Sequence, residues 1–216
     1  MTTWLVDAIL FDLDGTLVDS SGSVERSWRQ LAEKIGRPWP QVQPHIHGVP
    51  VQQVMRDLEP DMPAERVEEL RQFMVESEST DTAGVVAQPR AKELLAALPG
   101  ERVGIVTSGG VRLASSRIAA AGLPTPAVVV TADDVSVGKP DPAPYLRGAE
   151  LIGFPPARCL VVEDAPAGVT SARAAGCPVI GVLTTHSSLD APTVASLADI
   201  HFTATDGGIR VSIDER

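Results

Sequence analysis

The sequence predicts an α/β fold: a doubly wound parallel, Rossmann-like sheet core, with a small all-helical domain inserted after the first strand. Three observations predict it. An apolar run over residues 6–11 stops abruptly at Asp12-Leu13-Asp14-Gly15-Thr16, as a buried strand does when it feeds a turn. Residues 19–82 then carry helical periodicity and little strand character. From Gly84 onward, short apolar runs alternate with helical stretches, the pattern of a parallel sheet covered on both faces. The expected domains are 1–18 with 84–216 as an α/β core, and 19–83 as a helical cap domain.

In the insert, Val24, Trp28, Leu31 and Ile35 recur at helical spacing, and Gly36 and Pro38 supply a stop. Val51, Val54, Met55 and Leu58 mark a second helix. Pro63 suits a first helical turn, and Val67, Leu70, Phe73 and Met74 form the stripe of a third. In the core, residues 89–98, 110–121, 142–153 and 166–175 read as helices. Residues 102–107, 127–131, 159–162, 179–183 and 200–203 read as strands, and residues 212–216 as a loose tail.

Of 216 residues, 44 % are hydrophobic and 21 % charged, enough for a substantial core and unlike a disordered chain. The formal net charge of −10 repels nucleic-acid phosphates, which argues against DNA or RNA as a partner. It also repels a small anion, so an anion-binding site here needs a local cation. Cys159 and Cys177 lie in or beside apolar runs without a CxxC partner, and read as small buried side chains in a reducing compartment. No run reaches membrane-spanning length and the first residues lack a basic and apolar leader, so a soluble cytoplasmic protein is expected. The sequence is compatible with a monomer and fixes no oligomeric state.

In open parallel sheets, ligands bind at the carboxyl ends of the strands. Four polar clusters fall there: Asp12 and Asp14; Thr107-Ser108-Gly109-Gly110; Gly138-Lys139-Pro140; and Glu163-Asp164. Each alone has an ordinary reading as a turn, a cap or a solvated charge. Their joint placement is harder to explain in that way. Residues i and i+2 of an extended segment point the same way, so Asp12 and Asp14 face one crevice together. With Glu163 and Asp164 they crowd carboxylates that need a cation, and an all-oxygen donor set suits Mg²⁺. Thr107 offers a hydroxyl donor, the amides that open the next helix suit an anion, and Lys139 adds a positive charge. Together these groups describe phosphoryl transfer.

The stretch Asp12-Leu13-Asp14-Gly15-Thr16-Leu17-Val18-Asp19-Ser20 resembles the first motif of the haloacid dehalogenase-like hydrolases. Thr107-Ser108-Gly109 resembles the second, Lys139-Pro140 the third, and Glu163-Asp164-Ala165-Pro166-Ala167-Gly168 the fourth. The resemblance spans nearly the whole chain, and the helical insert is similar to the family's small cap. It implies that Asp12 is a nucleophile forming an aspartyl-phosphate, and that Asp14 is the acid and then the base. It implies Mg²⁺ on Asp12, the Asp14 backbone carbonyl and Asp164, with Glu163 beside it or acting through water. Thr107, Ser108, Gly109 and Lys139 would bind the phosphoryl group, and His47 would touch substrate from the cap.

Residues 24–28, the His47-Gly48 pair and residues 131–146 look most like the sugar-phosphate and glycerol-phosphate phosphatases. The expected substrate is therefore a small phosphomonoester. Val24 stands where related β-phosphoglucomutases have a histidine, which favours hydrolysis over a mutase reaction. Val49 and Pro50 stand where several relatives have an arginine that grips substrate, so the second substrate contact is open. Asp14 disfavours the dehalogenase branch, which lacks that aspartate. A non-catalytic phosphate sensor is the reading from another class, and it is disfavoured because no catalytic group is missing.

Overall fold

The structure, a computed structural model, describes residues 2–46 and 50–214. The chain divides into two compact units, Met1–Asp19 with Val86–Arg216, and Ser20–Val85.

The first unit begins with β1 (Thr2–Val6), β2 (Ala8–Phe11) and the short β3 (Val18–Asp19). The second unit holds α1 (Ser21–Lys34), α2 (Trp39–Val42), α3 (Val51–Leu58) and α4 (Ala64–Thr80). The chain then returns to the first unit through β4 (Val86–Ala87), α5 (Ala91–Ala97), β5 (Val103–Val106), α6 (Val111–Ala121) and β6 (Val128–Val130). It continues with α7 (Ala143–Ile152), β7 (Cys159–Glu163), α8 (Pro166–Ala174), β8 (Val179–Val182) and β9 (Thr193–Val194). It closes with β10 (Ile200–Thr205) and β11 (Gly208–Ile213).

The main sheet has six strands in the order β6-β5-β2-β7-β8-β9, and every pairing is parallel. Taken in chain order these strands run 3-2-1-4-5-6, the doubly wound arrangement with its switch point between β2 and β7. Both central strands are buried throughout, which explains why they read as continuous apolar runs rather than alternating ones. The sheet core includes Leu10, Val106, Val130, Tyr145 and Val161. The helical unit has its own core, with Trp28, Leu31, Val54, Met55, Leu70 and Met74 on the inner stripes of α1, α3 and α4.

Two sequence expectations need correction. Residues 6–11 do not form one strand. β1 ends at Val6 and β2 starts at Ala8, with a corner at Asp7. The Asp7 carboxylate takes two 2.8 Å bonds from Arg158, and its amide donates to the Arg158 carbonyl at 2.8 Å. Ser212 and Ile213 do not belong to a loose tail, because they complete β11; residues 215–216 of the expected tail lie outside the described residues. That strand is the middle of an antiparallel sheet ordered β1-β11-β10, and Ile209, Val211 and Ile213 are fully buried along one face. β9 and the β3-β4 pair lie in segments too short for a periodic signal.

Truncating Ile213 should leave a cavity. Ile213→Ala is expected to cost about 2–4 kcal/mol, checked by urea unfolding; a loose tail would give no measurable change.

Candidate active site

β2 delivers Asp12 to the carboxyl edge of the sheet, where its amide donates to the Val162 carbonyl of β7 at 3.0 Å. Its carboxylate is buried and lies 2.7 Å from the Lys139 ammonium, which arrives on the loop between β6 and α7. That ammonium also donates to Glu163 Oε1 at 2.7 Å and to the Val106 carbonyl at the end of β5 at 2.9 Å. The Lys139 side chain is only 5 % exposed. Burial alone would lower the pKa of its ammonium, but Asp12 and Glu163 outweigh burial and hold it above its ordinary value. Lys139 therefore stays charged, and three strand ends meet on it.

Glu163 is fully engaged. Oε1 accepts from Lys139 at 2.7 Å and from the Tyr145 hydroxyl at 2.8 Å, while Oε2 accepts the amides of Asp164 and Ala165, each at 3.0 Å. Tyr145 is fully buried and its ring centroid lies 4.9 Å from the Lys139 ammonium. Gly168, in the first turns of α8, allows this packing, since a Cβ there would overlap the Glu163 carboxylate. The spacing from Glu163 to Gly168 in the fourth motif thus has a steric cause.

Asp164 opens towards Asp12. One oxygen accepts from Thr16 Oγ1 at 3.3 Å and the other from the Thr185 hydroxyl, which follows β8. Gly15, at φ +88°, passes so close that a Cβ would overlap this carboxylate. Asp12, Glu163 and Asp164 each place a carboxylate oxygen within 4.8 Å of the others. Burial drives the Asp12 carboxyl well above the usual range, and burial with Glu163 pushes Asp164 up to about 7. Three carboxylates facing one ammonium lack positive charge, and all-oxygen donors at this spacing fit a hard divalent cation such as Mg²⁺.

Thr107 directly follows β5, and its hydroxyl accepts the Gly109 amide at 3.1 Å. Ser108 is exposed there, and Gly110 caps the start of α6. Asp14 does not join the carboxylate cluster. Its Oδ1 lies 2.9 Å from Nη1 of Arg117 on α6. Asp133 and Asp134 serve their loop: Asp133 accepts the Val111 amide at 2.8 Å, and Asp134 accepts the Thr131 amide at 2.8 Å. His47 lies outside the described residues.

Sequence reasoning assigned no role to Tyr145, Thr185 or Arg117. Tyr145 follows the Lys139-Pro140 motif closely enough to have been marked by it. The other two offer no local signal, because their partners come from remote segments.

Glu163→Gln should be costly whichever way the amide is turned. All four neighbours are donors, so the NH₂ must face donors. A loss of about 3 kcal/mol in denaturant unfolding is expected.

The sequence profile of the haloacid dehalogenase-like hydrolases matches residues 6–176. Hexitol phosphatase A of Escherichia coli is 47 % identical over 182 residues, covering 80 % of this chain and 81 % of that protein. Glycerol-1-phosphate phosphohydrolase 1 of Saccharomyces cerevisiae is 31 % identical over 191 residues, covering 83 % and 76 %. The crystal structure of a hydrolase from Pseudomonas syringae superposes with a TM-score of 0.70 at 31 % identity, covering 83 % of this chain and 85 % of that one. With its profile matched across most of the chain and its motifs gathered at one sheet edge, this chain belongs to the haloacid dehalogenase-like hydrolases.

Proposed function

We propose that this chain is a Mg²⁺-dependent phosphatase of small phosphorylated metabolites, sugar phosphates or glycerol phosphate, working through an aspartyl-phosphate on Asp12. The observation that carries the reading is the buried Asp12 carboxylate at the sheet's switch point, held at 2.7 Å by Lys139 and facing Asp164. The relatives named for hexitol and glycerol-1-phosphate chemistry support the substrate class.

An Asp12 oxygen attacks phosphorus in line, and the bond from phosphorus to the leaving oxygen breaks as Asp14 donates a proton to that oxygen. Asp14, now a carboxylate, takes a proton from water. The water oxygen attacks phosphorus, the bond to Asp12 breaks, and phosphate leaves. Lys139, the Thr107 hydroxyl and the amides of Ser108 and Gly109 hold the phosphoryl oxygens as charge shifts among them. Asp12, Asp164 and the Asp14 backbone carbonyl would hold Mg²⁺, which supplies further positive charge to the phosphoryl group. Glu163 keeps Lys139 aimed at the nucleophile.

The test is phosphate release from a panel of sugar, polyol and nucleotide monophosphates, with Mg²⁺ and with EDTA. Wild type should release phosphate only with Mg²⁺, and Asp12→Asn should release none. No release by wild type from any compound would sink the reading, and conversion of one phosphosugar isomer to another without phosphate release would replace it with a mutase.

The pH dependence of metal binding has a definite sign. Below about 7 the Asp164 carboxyl of the metal-free protein carries a proton that Mg²⁺ must displace. Mg²⁺ affinity, measured by calorimetry, should rise from pH 6 to pH 8. An affinity that is flat or falls over this interval would exclude Asp164 as a ligand that titrates there.

A further inference from the structure

Among the described residues, the largest fully buried side chain is a charged one. Arg117 lies midway along α6 and is 1 % exposed. Its guanidinium reaches the turn between β2 and β3, where Nη1 lies 2.9 Å from Asp14 Oδ1. Burying a guanidinium is expensive, and a well-packed apolar side chain of similar volume commonly serves folding as well or better. The helix around Arg117 shows the cheaper solution, since Ala114, Ile118 and Ala121 are its buried neighbours in sequence. Core filling does not call for an arginine here.

The turn that carries Asp14 is rigid. The Gly15 amide donates to the Val18 carbonyl at 2.8 Å, and the amides of Leu17 and Val18 both donate to the Leu13 carbonyl at 2.9 Å. The Asp14 backbone is thus fixed, whereas its side chain is 32 % exposed and has two rotatable bonds in reach of water. The buried guanidinium, 2.9 Å away and opposite in charge, favours the side-chain orientation in which the carboxylate faces it.

We propose that Arg117 is a positioning residue for proton transfer: it holds the Asp14 carboxylate in the orientation from which it serves the leaving group and then the water. The inference rests on the reading of Asp14 as the acid and base. A displacement of about 1 Å in a reacting group lowers turnover by about 100-fold. Loss of Arg117 should therefore act on kcat, while KM, set by groups that bind the phosphoryl and the substrate's remaining parts, stays near its wild-type value.

The experiment compares wild type, Arg117→Met, Arg117→Lys, Asp14→Asn and the Arg117→Met/Asp14→Asn double variant. Each is assayed with Mg²⁺ and p-nitrophenyl phosphate, and thermal unfolding is followed in parallel. Arg117→Met should fold and lose about 10- to 100-fold in kcat with KM within about twofold. Arg117→Lys should recover part of that loss, because it restores a cation beneath the turn. In the Asp14→Asn background the methionine should cost nothing further, since there is no carboxylate left to aim. An unchanged kcat in Arg117→Met, an equal loss in both backgrounds, or failure of both Arg117 variants to fold would each overturn the inference. Wild-type turnover in Asp14→Asn would instead sink the acid-base reading on which it stands.

Discussion

A single buried ammonium organises the catalytic unit. Lys139 binds the Asp12 carboxylate, the Glu163 carboxylate and the Val106 carbonyl, and so ties the ends of β2, β7 and β5 at one point. These strands are adjacent in the order β5-β2-β7, which makes the contact geometrically natural. It is not a cheap way to stabilise a fold, because desolvating an ammonium and two carboxylates roughly offsets their attraction. The arrangement is better understood as stored electrostatics. In the proposed reaction, the charge that a transferring phosphoryl group needs would already be in place, without reorganisation at the moment of reaction.

Around that point the structure works to keep polar atoms satisfied. Tyr145 and two backbone amides complete the lone pairs of Glu163, and Thr16 and Thr185 flank Asp164. Glycine stands at two positions here where a Cβ would overlap a carboxylate, Gly15 beside Asp164 and Gly168 beside Glu163. A carboxylate held by four donors cannot drift, and neither can the lysine it holds. Asp164, flanked by two hydroxyls rather than by a full set of charged donors, retains the negative potential that suits a dication.

Much of this was legible in the sequence because the chemistry sits where strands end. Asp12, Thr107 and the Glu163-Asp164 pair each follow an apolar run directly, so a period-based reading places them on one edge. Lys139 was legible through its Gly-Lys-Pro setting. Arg117 was not, because an arginine inside an amphipathic helix reads as a solvated charge until the turn carrying Asp14 is laid over it. The antiparallel sheet was missed for a different reason. Val6, Asp7 and Ala8 read as one continuous run, and only Arg158, far along the chain, shows that Asp7 is a corner. The alternation of Ile209, Val211 and Ile213 was present, but a strand needs a partner to be distinguished from a frayed end, and the partner here is the opposite terminus.

The small β3–β4 ladder has a consequence for how such a protein changes over generations. Val18 pairs with Ala87 and Asp19 with Val86, so the chain leaves the catalytic unit and re-enters it through neighbouring positions. Everything between these two pairs is topologically a single loop, whatever its length. Material can be lengthened, shortened or exchanged there without altering the register of the six-stranded sheet or the setting of Asp12. The six-stranded sheet and the helical insert are thereby separately heritable parts of one chain, and a lineage can replace the second while the first stays as it is.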